Sequence, residues 1–175
     1  MKHSQHKRWT IMAAIAGSAL ALTACGDGGG NDDDPEPSDD LGVLTVSAAS
    51  ADGYNGIYGN GNIGLTDVER NDPVISDKPE VCAFNFDRAD KVGDGTKTAE
   101  GDLRYRPDTS TIYEAYVTIA DKKFSSDDWD STTKVDRDGN RVVFDGSQLK
   151  ATDDSGISLT LHGAIPLPGN RPEGC

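Results

Sequence analysis

The chain predicts an all-β fold, a small antiparallel sandwich or barrel of about six to eight strands carried by residues 41–175. Three observations predict it. Period-two alternation of apolar and polar residues recurs through that stretch, bounded by Gly, Asn, Asp and Pro. The spacers "KVGDGTK", "DRDGN" and "ATDDSG" carry tight-turn residues. No segment of helical period competes with them.

The elements follow in order. "GVLTVSA" opens the domain with strand formers. Residues 51–64, "ADGYNGIYGNGNIG", read as a glycine-rich surface loop with Tyr54 and Tyr58 as aromatic anchors, and both tyrosines are candidate binding residues. The loop lacks the lysine of a phosphate loop and the strand–helix context of a dinucleotide site. "VCAFNFD" puts Cys82, Phe84 and Phe86 on one face. "GDLRYRP" turns Leu103 and Tyr105 inward, with Asp102, Arg104 and Arg106 outward. "STIYEAYVTIA" is rich in strand formers on both faces, as a central strand is. "FSSDDWDSTTK" breaks the alternation, as one helical turn or a protruding loop would. In "RVVFDGSQLKA", Gly146 marks a bulge or bend. "GISLTLHG" alternates Ile157, Leu159 and Leu161 against Ser158, Thr160 and His162. Outward positions carry charge, which opposes a lipid-facing barrel. No repeat of domain-scale period is visible, so residues 41–175 read as a single domain.

The N-terminus is of another kind. Lys2, Lys7 and Arg8 precede an apolar run from Trp9 to Leu22, which ends in "LTAC", Leu22 to Cys25. A basic start, a short apolar run and small residues describe a secretory signal, too short for a comfortable transmembrane helix. The aliphatic residue, two small residues and cysteine resemble a bacterial lipobox, a likeness confined to residues 1–25. It implies that residues 1–24 are a signal peptide, that cleavage follows Ala24, and that Cys25 carries diacylglycerol. Two or three acyl chains there would anchor the chain stably. The sorting pattern of such lipoproteins retains Asp after the cysteine in the inner membrane. Gly26 therefore favours the outer membrane of a bacterial envelope. Residues 26–40, "GDGGGNDDDPEPSDD", hold seven acids and no base, with no aliphatic or aromatic side chain, and read as a disordered tether.

Charge excludes further classes. Without residues 1–24 the chain has 14 basic and 30 acidic residues, a formal net charge of −16, of which the tether supplies −7. Nucleic acid, whose affinity comes largely from Lys and Arg on phosphates, is not expected as a partner. If Cys25 carries lipid, Cys82 and Cys175 remain as a pair in an oxidising compartment, and a Cys82–Cys175 disulfide is expected. Intermolecular pairing and two free thiols are the alternatives.

Few residues suggest chemistry. His162 is the one histidine after residue 24, so a His-ligated zinc site is excluded, and a Ser–His–Asp triad lacks a nucleophile motif. From Lys134, "KVDRDGNRVVFD" places four residues as an EF-hand loop does. Its first position is Lys, however, and its flanks are strand-like, so a hairpin turn is the better reading. Trp129 sits among Asp127, Asp128 and Asp130 and is a third candidate binding residue, for a sugar ring or a partner. No catalytic residue, cofactor or metal is assigned.

The resulting expectation is a non-enzymatic, lipid-anchored envelope protein that presents an acidic β domain to a basic protein or an envelope glycan. One alternative is an inhibitor of a basic envelope-attacking enzyme such as lysozyme. Lysozyme-inhibitor lipoproteins are similar in being small, β-rich and disulfide-bonded. A second alternative is a polysaccharide hydrolase working through carboxylates. Two close carboxylates in a deep cleft would favour the hydrolase, and a flat or convex acidic patch the binder.

Overall fold

The computed structural model describes residues 34–72, 78–126 and 131–175. Among them lie eleven strands and no helix. They are β1 (Val43–Ser47), β2 (Gly56–Tyr58), β3 (Gly64–Leu65), β4 (Glu69–Asn71), β5 (Val81–Lys91) and β6 (Asp94–Tyr105), then β7 (Ile112–Ile119), β8 (Lys122–Ser126), β9 (Thr133–Asp136), β10 (Arg141–Ala151) and β11 (Ser158–Pro166). Eight of them close an antiparallel barrel in the order β1–β2–β5–β6–β7–β8–β10–β11, and β11 returns to β1. β3 and β4 run on along β5 beyond its pairing with β2. β9 runs along β10 beyond its pairing with β8. Closure removes the free sheet edges that an open sandwich would have to protect.

Alternation fills the interior. Cys82, Phe84 and Phe86 of β5 face Tyr105, Leu103 and Gly101 of β6 in register, and the three β5 residues are buried. Val117 and Ile119 of β7, Phe124 of β8, Phe144 and Leu149 of β10, and Leu159 and Leu161 of β11 complete the same core. Gly146 sits where the β10–β11 register shifts between Asp145 and Ser147, at φ 74°, and is the bulge its position predicts.

Two expectations are corrected. Residues 51–64 are not simply a surface loop: β2 is a barrel strand, and Tyr58 is fully buried. Glycine lets this segment fit, since a Cβ on Gly59 (φ 83°) would lie 2.2 Å from the Gly42 carbonyl oxygen. The ends of "FSSDDWDSTTK" belong to strands, Phe124–Ser126 to β8 and Thr133 to β9, and the helical turn or protruding loop expected of it is left to the residues between them. Residues 127–130 lie outside the described residues. In the 137–140 turn, the left-handed residue is Asn140 (φ 51°) rather than the glycine of Asp138–Gly139. The Gly139 amide instead donates to Asp136 Oδ1 at 2.9 Å.

The two barrel ends differ. At one, the connections 48–55, 92–93, 120–121 and 152–157 join neighbouring strands, and this is the loop end. At the other, residues 167–175 lie against the connections 106–111 and 137–140. Leu167 and Cys175 are buried there, and Cys82 and Cys175 form a disulfide with Cα atoms 5.7 Å apart.

Candidate functional site

Strand parity sets a polar outer face on β5–β8. Asn85, Asp102, Tyr116 and Ser125 form one row across the four strands, because they oppose one another in register. Ala83, Arg104 and Glu114 form the next. Three open depressions of about 520, 320 and 100 Å³ share Asn85 as a lining residue. Together they make a shallow trough from the β4 side, at Asp67 and Glu69, across to Tyr116 and Lys123.

The cations in the trough are occupied. Arg104 donates to both oxygens of Asp102, at 3.2 and 2.9 Å, and to Glu114 at 2.9 Å. The Asp102 hydrogen bond first, then the nearby negative charges, raises its pKa. Lys123 Nζ lies 3.9 Å from the Tyr116 ring centroid, a cation–π contact. Asp67, Glu69 and Glu100, by contrast, take part in no ion pair among the described residues. The face therefore carries carboxylates that have no ion-pair partner among the described residues.

The loop end is mixed in charge. Lys91 and Lys97 both donate to the Gly53 carbonyl, at 3.1 and 3.3 Å, and Lys122 pairs with Asp153 at 2.6 Å. Burial lowers the Lys91 pKa, with a smaller contribution from Lys97. Burial, aided by Asp94, pushes the Tyr58 hydroxyl up to about 12. At the opposite end the tail is clamped by its carbonyls. Tyr105 Oη donates to Cys175 O at 2.8 Å, Arg70 to Glu173 O at 2.7 Å, and the Asp108 amide and Arg137 to Gly174 O at 2.9 and 3.3 Å.

The sequence candidates fall in different places. Tyr58 is a core residue, not a surface contact: it is 0 % exposed and its hydroxyl donates to Tyr54 O at 2.8 Å. Tyr54 is half-buried and meets Phe124 edge-on, with ring centroids 5.6 Å apart. Neither tyrosine lines the trough. Cys82 and Cys175 are joined as expected. His162 faces outward beside Asp145 and Thr45, half-buried. Cys25 and Trp129 lie outside the described residues. Among the described residues no group of three His, Cys, Asp or Glu side chains could hold a metal ion.

Sequence reasoning missed the trough and the tail clamp. Parity alone puts Asp102 and Arg104 on one face, but the partnership with Glu114, Asn85 and Lys123 depends on strand order. Arg70 and Arg137 carried no local signal, since what they hold lies 103 and 37 residues away. Fold and surface together define a closed, filled antiparallel β-barrel with an acidic outer face. Comparison of the chain with protein families, with curated proteins and with solved structures finds no match.

Proposed function

We propose that this protein is a lipid-anchored component of a bacterial cell envelope, held through Cys25 in the outer membrane, and that its acidic barrel binds a basic partner protein. The anchor rests on the lipobox at Leu22–Cys25, and the observation that supports binding is the trough on β5–β8, where Asp67, Glu69 and Glu100 have no ion pair among the described residues while Arg104 and Lys123 are already engaged. Charge of this kind speeds encounter with an oppositely charged surface and sets its salt dependence. The depressions are open and shallow, as a protein–protein surface is, rather than a cleft enclosing paired carboxylates. Binding is thus favoured over polysaccharide hydrolysis. Inhibition of a lysozyme is the special case in which the basic partner attacks the cell wall.

The test compares the chain with a Glu69→Lys/Glu100→Lys double variant, both immobilised and exposed to envelope extract at low and high salt. The expected result is a basic protein retained at low salt, released by salt, and lost from the variant. Retention of glycan alone, or of protein indifferent to the charge reversal, would contradict the reading.

A further inference from the structure

The acidic segment before β1 would be a slack spacer if nothing held it, but its described part, residues 34–40, is held to the barrel at Asp34 and turns into β1 at Asp40. β1 gives way to Ala48, which has left-handed backbone (φ 47°). The amides of Ala48 and Ala49 are both met by side chains: Ala48 N donates to Asp34 Oδ2 at 3.3 Å, and Ala49 N to Asn55 Oδ1 at 2.9 Å. Asn55 Nδ2 then donates to the other Asp34 oxygen at 2.6 Å, so one carboxylate joins the segment to both sides of the β1–β2 connection. The carboxylate thus takes one of the two amides and the Asn55 side chain takes the other. At the far end, Val43 N donates to Asp40 O at 3.3 Å, where β1 begins.

The segment therefore doubles back along β1 from its last residue to its first. Burial agrees. Pro35 and Ser38 are half-buried while Glu36, Pro37, Asp39 and Asp40 are exposed. Thr45 points away from the barrel interior, in register with His162 and Ile57, yet has 0 % exposure.

We infer that residues 34–40 are a strap that sets the orientation of the barrel on its membrane, with the loop end toward the lipid. This rests on the proposed lipidation of Cys25. Eight residues lie between Cys25 and Asp34, a span of at most about 32 Å, whereas a slack leash to Leu41 would span about 55 Å. The leash meets the barrel at Ala48 and Asn55, on the loop end. That end pairs Lys97 with Asp94 and Lys122 with Asp153, so tether geometry rather than headgroup attraction sets the orientation. The clamped tail end then faces away from the membrane. The trough on β5–β8 lies across the barrel from β1 and stays clear of the strap.

Two measurements test this. In the full chain with Cys25→Ser, Asp34→Ala should speed hydrogen exchange of the Ala48 amide by about tenfold, while Asp39→Ala leaves it unchanged. No difference between the two would overturn the strap, whatever Cys25 carries. In the membrane-extracted chain, reconstituted in phosphatidylethanolamine–phosphatidylglycerol vesicles, one fluorophore is placed at Asp154→Cys or at Asp138→Cys. Energy transfer to a headgroup acceptor should be several-fold stronger from position 154, and equal or reversed transfer would overturn the orientation. An intact mass showing no lipid on Cys25 would overturn the anchoring and the orientation together, and hydrogen exchange at Ala48 would still decide for or against the strap.

Discussion

Asp153 shows how a single exposed residue can set pH behaviour. Its carboxyl is held down to about 2, from an ordinary 3.8, first by the hydrogen bond from Lys122 and then by the hydroxyl and amide of Ser155. A depressed carboxyl contributes stability that is present above its unfolded pKa and is lost as pH falls through its folded one. The melting temperature should therefore drop between about pH 4 and pH 2, and Asp153→Asn should flatten that part of the profile. An unaltered profile would place the acid sensitivity elsewhere. Tyr105 acts differently, since its hydroxyl is buried and its bond to Cys175 O ties the tail to the core. Tyr105→Phe leaves that carbonyl without its donor and should cost about 1–2 kcal/mol, read as a lower urea midpoint at unchanged slope. Tyr58 illustrates what residue type alone conceals. A tyrosine among glycines looks like a surface anchor, and only the pairing of Tyr58 with Leu44 and Lys91 turns its ring into the core.

At the scale of elements, the long strands were legible because each buries one face. β5, β6 and β11 contain clear alternating runs, β7 was marked by strand formers on both faces, and in β10 the Gly146 bulge was readable as a glycine interrupting a strand. Gly146→Ala would force a side chain into left-handed backbone and bring its Cβ to 3.3 Å from His162 Cε1. It should destabilise by about 1–3 kcal/mol, measured by thermal or urea unfolding. β2, β3 and β4 were not legible: they have two or three residues each, too few to alternate, and they form because β5 offers them an edge. β8 has one buried residue, Phe124, among Lys and Ser, and so shows no pattern of its own. The tail has no pattern either, yet it is held by the disulfide across 93 residues. Cys175→Ser should cost about 2–4 kcal/mol, with the remaining clamp from Tyr105, Arg70 and Arg137 keeping the tail in place.

For the whole molecule, an all-β class could be read from alternation, but the choice of barrel over sandwich could not. Alternation reports that one face is buried, and both architectures bury one face. Closure depends on β10 pairing with β8 as well as β11, and on β11 returning to β1, which are contacts between distant parts of the chain. The candidate surface was legible to the same extent. Excess acid was plain in the composition, while its concentration beside Asn85 required the strand order. The described residues form a filled barrel closed by a disulfide-locked tail, with an acidic outer face, and the proposal adds an N-terminal lipid anchor acting through a strap. Barrel and acidic face stand on the described residues, and the strap takes its proposed role from the anchor. The most direct test is therefore the intact mass of the chain recovered from bacterial membranes. The expected species is a polypeptide beginning at Cys25 that carries a diacylglycerol thioether and acyl mass. A chain that begins elsewhere, or one with Cys25 unmodified, would refute the anchor.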